Sequence, residues 1–188
     1  MTNFEELLAV VPPPAVRSSR FGQWDELERR LGFGVPQDYK WLVDVYGPGC
    51  FDDFLHVLQP KSRFEPIRLG SFGATYRERI KAQLQTGRTI PYELDQLQPV
   101  ARTEDGDVIS WVMWSTRCPG SWALTINNPS RSEWLGFDGG ITSFLYAVFV
   151  DGLRMPFFPE GFPSSSPAFE TYPSVAEIEA LLQSTTGV

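Results

Sequence analysis

His56 is the only histidine in this chain, and Cys50 and Cys118 are its only cysteines. Most nucleophilic or zinc chemistry would therefore have to be assembled around three side chains. His56 lies in Leu55-His56-Val57-Leu58, and on an alternating strand it points to the face opposite Leu55 and Val57. With Asp52 or Asp53 close by, one reading is a hydrolase or small-ligand domain in which His56 works with a carboxylate. A Ser-His-acid arrangement needs a serine on a sharp turn, and neither Gly70-Ser71-Phe72-Gly73 nor Pro119-Gly120-Ser121-Trp122 fits G-x-S-x-G. One histidine and two distant cysteines form no zinc set, disulfide framework or C-x-x-C pair, so both thiols are expected to be buried as small hydrophobes. Glu104-Asp105-Gly106-Asp107 gathers three carboxylates around one turn. A calcium loop would need a closing bidentate acid where the apolar run Ile109 to Trp114 follows, so turn chemistry accounts for the segment. No G-x-x-x-x-G-K-[ST] phosphate loop is present. The expectation is a protein with no catalytic residue, no cofactor and no metal, which is to say not an enzyme.

Charge points towards a class of partner. The net charge of −7 divides into −4 over residues 1–60, +4 over 61–102 and −7 over 103–188. An acidic chain is a poor ligand for nucleic-acid phosphates, and the basic run Arg77, Arg79, Lys81 and Arg88 reads as a solvated helix face. The same acidity steers a chain towards a basic protein. Five exposed loop acids, Asp52, Asp53, Glu104, Asp105 and Asp107, are the candidate contact residues. No apolar run reaches the roughly 18–20 residues needed to span a bilayer, and the N-terminus carries Glu5 and Glu6 where a signal peptide carries lysines. A cytoplasmic location and no membrane partner are expected.

The elements that position these residues follow from periodicity. Phe4 to Val10 starts an amphipathic helix that runs into Pro12-Pro13-Pro14, which breaks it. Trp24, Leu27 and Leu31 stripe one helix, with acids early and arginines late as the helix dipole favours. Tyr39, Leu42, Val43 and Tyr46 stripe a second, from Pro36 at its first position to Gly47 past its end. A strand is expected over 51–59 and a helix over 72–85 ending at Thr86-Gly87. A hairpin follows, from 99–103 to 108–114, with Asp105-Gly106 as a type I′ turn. Strands at 122–126 and 133–137 complete an antiparallel meander, and 141–150 reads as an apolar helix. The proline-rich segment 155–173 reads as an extended, partly mobile linker, before a capped helix opening at Ser174. Helices, then strands, then helices give an α+β fold: N-terminal helices, a central antiparallel β-meander and C-terminal helices packed beside it. The expected division is an N-terminal arm with its proline linker (1–19), an α+β domain (20–162), and a Pro/Ser-rich linker with a last helix (163–188).

The order Trp24-x-x-Leu27-Glu28-x-x-Leu31-Gly32, then Val35-Pro36-x-Asp38-Tyr39-Lys40-x-Leu42, then Tyr46-Gly47-x-Gly49 resembles the N-terminal signature of the SUKH superfamily. Its members include bacterial immunity proteins and a fungal regulator of cell-wall synthesis. The Asp-Gly-Asp hairpin leading to Trp111, the strands around Trp122 and Trp134, and the Phe144-Leu145 helix extend the likeness over residues 20–162. The resemblance implies a non-enzymatic module that binds another protein, foremost an immunity-like antidote that occludes a toxin domain, often a nuclease. The alternative it implies is an intracellular regulatory scaffold.

Overall fold

The computed structural model describes residues 3–15, 22–62, 64–114, 118–128 and 133–173. Helix α1 (Asn3–Val10) is followed by α2 (Trp24–Leu31) and α3 (Gln37–Tyr46). In α2, Asp25 and Glu26 occupy the first turn and Arg29 and Arg30 the last, and Gly32 closes it in the left-handed region (φ 81°) with its N–H on the Glu28 carbonyl. Pro36 caps α3 from outside with extended backbone instead of opening its first turn, because its ψ of 138° is not helical. Tyr39, Leu42, Val43 and Tyr46 are buried as the period requires. The hinge between the two helices is held by Glu28, whose Oε1 meets Lys40 Nζ at 2.7 Å and accepts from the Val35 N–H at 2.7 Å. Those two partners hold its carboxyl below the usual range.

Strands β1 (Gly49–Phe51) and β2 (Leu55–Val57) come next, then helix α4 (Leu69–Gln85), strands β3 (Leu97–Thr103), β4 (Val108–Val112), β5 (Ala123–Asn128) and β6 (Glu133–Phe137), helix α5 (Ile141–Phe149), and strand β7 (Phe169–Thr171). The fold is α+β. One antiparallel sheet runs in the order β6-β5-β4-β3-β2-β1-β7.

Three expectations are corrected here. The single strand over 51–59 is a hairpin: Asp52 and Asp53 both take positive φ (52° and 54°), and the Phe54 N–H returns to the Phe51 carbonyl at 3.1 Å. The type I′ pattern therefore sits at Asp52-Asp53, where aspartate tolerates the left-handed region without glycine. At 103–107 only Gly106 has positive φ (87°), and the Gly106 N–H bonds the Thr103 carbonyl at 3.1 Å. That is a type I turn closed by a left-handed glycine, not I′. The proline-rich linker is not a free spacer: Phe157 and Phe162 are buried, and β7 pairs with β1 in the register Gly49↔Thr171, Cys50↔Glu170, Phe51↔Phe169. An edge strand tolerates neighbouring prolines because only one side of it must donate.

The main core lies between one sheet face and helices α1, α2, α3 and α5. It includes Leu7 and Val11 from the arm, and Phe169 and Tyr172 pack against it from beyond residue 162, so it extends to both sides of the 20–162 unit. Tyr39 OH donates to the Leu58 carbonyl at 2.6 Å and Tyr46 OH to the Val11 carbonyl at 2.7 Å. Each buried phenol is thereby satisfied. On the opposite face α4 packs over β3, with Tyr76 and Ile80 against Val108. The helix predicted at Ser174 lies outside the described residues. Among the described residues no helix is long and apolar enough to cross a membrane.

Candidate functional site

Alternation along the strands builds the site. Leu55 and Val57 face the helical core, so His56 faces the other side of the sheet. The registers Arg102↔His56, Phe51↔Leu55 and Cys50↔Glu170 then set Arg102, His56, Cys50 and Glu170 in one row across β3, β2, β1 and β7. Over β2, β1 and β7 this face carries an open pocket of about 340 Å³, lined by Cys50, Asp53, His56, Phe64, Glu104, Glu170, Thr171, Tyr172 and Pro173 and by no residue of α4.

His56 forms the floor and is 3% exposed. Its Nδ1 is hydrogen-bonded to Tyr172 OH, its Nε2 to Glu104 Oε1, and Cys50 Sγ stands 3.6 Å from Nε2. Burial, then the Arg102 charge, push the imidazole below its ordinary value, against the pull of Glu104. Burial likewise raises the Tyr172 hydroxyl. A carboxylate oxygen can only accept, so the neutral ring carries its proton on Nε2 and donates it to Glu104, while Nδ1 accepts from the Tyr172 hydroxyl. Burial first, and then the negative charges of Glu104, Asp53 and Glu170, push the Cys50 thiol up to about 12. Cys50 is thus a protonated thiol at neutral pH, without the thiolate a nucleophile needs. The ring stacks on Tyr172 (5.9 Å, 10°), which meets Phe64 at 5.1 Å.

The five acids expected on exposed loops divide. Asp53, Glu104 and Asp105 are exposed, and Asp53 and Glu104 stand at the pocket mouth beside Glu170. Asp52 is half-buried and accepts from Ser164 N (2.6 Å) and Ser164 Oγ (2.7 Å), so it anchors the C-terminal segment to the β1–β2 turn. Asp107 is fully buried: Thr103 Oγ1 (3.0 Å) and Asn128 Nδ2 (2.6 Å) donate to its carboxylate. It is a strut of the hairpin and not a surface acid, because the type I turn with its left-handed Gly106 carries its side chain inwards. Cys50 is buried as expected, but Cys118 is exposed, since Pro119-Gly120-Ser121 forms a surface turn. Pairing His56 with Asp52 or Asp53 is replaced by pairing with Glu104. Glu170, Tyr172 and Phe64 carry no signal of this site in the sequence, since strand 169–171 shows only through its pairing with β1.

Arg102 offsets part of the charge, with Nη2 3.5 Å from Glu104 Oε1. Among the described residues, no group of three or more His, Cys, Asp or Glu side chains is arranged to hold a metal ion. Comparison of the chain with protein-family models, curated proteins and solved structures returned no match.

Proposed function

We propose that this protein is a non-enzymatic binding module for a basic protein, acting as an immunity-like antidote that occludes a toxin domain of the nuclease kind. One observation carries the reading: Asp53, Glu104 and Glu170 converge around a pocket on a part of the sheet that, among the described residues, no helix lines. Asp105 extends the acidic surface from the neighbouring turn. Nucleases present basic grooves to their substrates, and a carboxylate-rich face is complementary to such a groove. The resemblance of the α2–α3 signature to the SUKH superfamily supports the antidote over a catalyst. The protonated Cys50 thiol supports it too, since it offers no ready nucleophile.

Co-expression with the basic effector domains encoded beside this gene tests the reading. The wild-type chain is expected to co-purify with one of them and to suppress its toxicity. A double variant, Asp105→Lys with Glu170→Lys, should lose both. If no neighbouring basic domain co-purifies, the antidote function is wrong.

A further inference from the structure

The pocket over β2, β1 and β7 has a composition that selects among basic groups. Its three carboxylates belong to Asp53, Glu104 and Glu170, while its other titratable side chains, His56, Cys50 and Tyr172, are held in their neutral forms. Among the described residues the cation acting on these groups is Arg102, which is spent on Glu104 and on the Thr103 carbonyl, to which its Nε donates at 3.3 Å. The mouth is therefore left with excess negative charge. Phe64 stands at the wall 49% exposed, one of four large exposed hydrophobic residues among those described. An aromatic so exposed beside carboxylates is half of a cation–π arrangement. A volume of about 340 Å³ falls at the bottom of the range for small-ligand sites, roughly 300–1,000 Å³. That suits one side chain better than a whole cofactor.

From this geometry we infer that the pocket is a receptor for a single arginine side chain presented by the basic partner, with the guanidinium stacked on Phe64 and Tyr172 and bound by Glu170 and Asp53. The inference rests on the basic-partner reading above and names the chemistry of its anchor. Arginine fits better than lysine because a planar guanidinium both stacks on aromatic faces and forks onto carboxylates, whereas an ammonium is a compact, strongly hydrated charge. His56 contributes as a neutral floor. Its Nε2 proton is committed to Glu104, so the floor adds no positive charge to repel the guest.

Titrating the ¹⁵N-labelled full chain with N-acetyl-arginine amide, followed by amide and imidazole chemical shifts, tests this without any partner. Saturable shifts are expected at Cys50, His56 and Glu170, with a dissociation constant on the order of 1 mM. Glu170→Gln should weaken binding about tenfold, as loss of one charge-assisted contact does. Asp53→Gly removes a second charge at a positive-φ position that glycine accepts, so folding is preserved if the first variant proves unstable. The citrulline analogue, uncharged but of the same shape, should not bind. Absence of saturable shifts, equal binding of citrulline, or tighter binding of the lysine analogue each overturns the arginine receptor. If the amide fails while a basic neighbour still co-purifies, the pocket falls and the partner reading stands. Arginine binding without any such partner removes the antidote and keeps the pocket.

Discussion

Asp107 separates a contact acid from a structural one, and the difference is measurable. Its carboxylate is fully buried and receives the Thr103 hydroxyl and the Asn128 amide, while its own N–H donates to Thr103 Oγ1 at 3.0 Å. These bonds close the β3–β4 hairpin and tie the start of β4 to the end of β5. In Asp107→Ala, the hydrogen bonds from Thr103 and Asn128 disappear, and each buried donor that loses its acceptor costs about 1–3 kcal/mol. The Thr103 hydroxyl keeps the 107 amide as a donor, and Asn128 is only half-buried. Both retain some recourse, so the loss should be about 2–4 kcal/mol and not the full sum. With a urea m-value of about 2 kcal/mol/M, the midpoint falls by roughly 1–2 M with m unchanged. Asp107→Asn keeps an acceptor for Asn128 and should lose only about 1 kcal/mol. Asp105→Ala, exposed in the same turn, should stay within about 0.5 kcal/mol of wild type. Tryptophan fluorescence in urea reads all three. If Asp107→Ala unfolds at the wild-type midpoint while partner affinity drops tenfold or more, the residue is a contact acid and the burial argument is wrong.

Three other perturbations test separate links. A Cβ at Gly140 would lie 2.3 Å from Asp38 Oδ2, the carboxylate that accepts the Thr142 N–H (3.1 Å) at the start of α5. Gly140→Ala should cost about 1–3 kcal/mol, cap loss and a stranded carboxylate outweighing the unfolded-state gain, and a melting temperature that does not fall would refute the clash. Asp53→Ala, which keeps φ near 54° without an aspartate side chain, should cost about 1 kcal/mol, while Asp53→Gly should be near neutral in the same urea assay. His56 has a folded pKa below its ordinary 6.5. As pH falls through that window the unfolded chain binds more protons, so stability falls with it and is fully present above 6.5. Urea midpoints compared above and below that value should show a slope that His56→Gln flattens, and an unchanged slope would mean another group titrates there.

The helices were legible because their signal is local. Tyr39, Leu42, Val43 and Tyr46 repeat at the helical period within one segment, and all are buried. The β4–β6 meander was legible for the same reason, as consecutive short strands between turn residues. What failed was either a turn without its usual residue or a pairing across sequence. Asp52-Asp53 carries no glycine to announce a hairpin, so two three-residue strands read as one. Strand β7 pairs with β1, and its neighbouring prolines argue for a linker until β1 is known to need an outer partner. The pocket inherits both failures: His56 was read correctly as facing away from Leu55 and Val57, but Glu104 and Tyr172 reach it only through the sheet order.

That order also explains why the charge lies where it does. A row of Arg102, His56, Cys50 and Glu170 across four strands places polar groups on a face whose pocket over β2, β1 and β7 is lined by no residue of α4. Within the sheet, ionised His56 and Cys50 would each incur a desolvation penalty, and both stay neutral. Glu170 sits on the outermost strand and Asp53 at a turn tip, both exposed to solvent. The arrangement therefore keeps its carboxylates at the rim and a neutral, internally hydrogen-bonded imidazole at the floor. A partner approaching from solvent meets long-range attraction first and directional contacts only once it is seated, the sequence in which electrostatic steering precedes specificity.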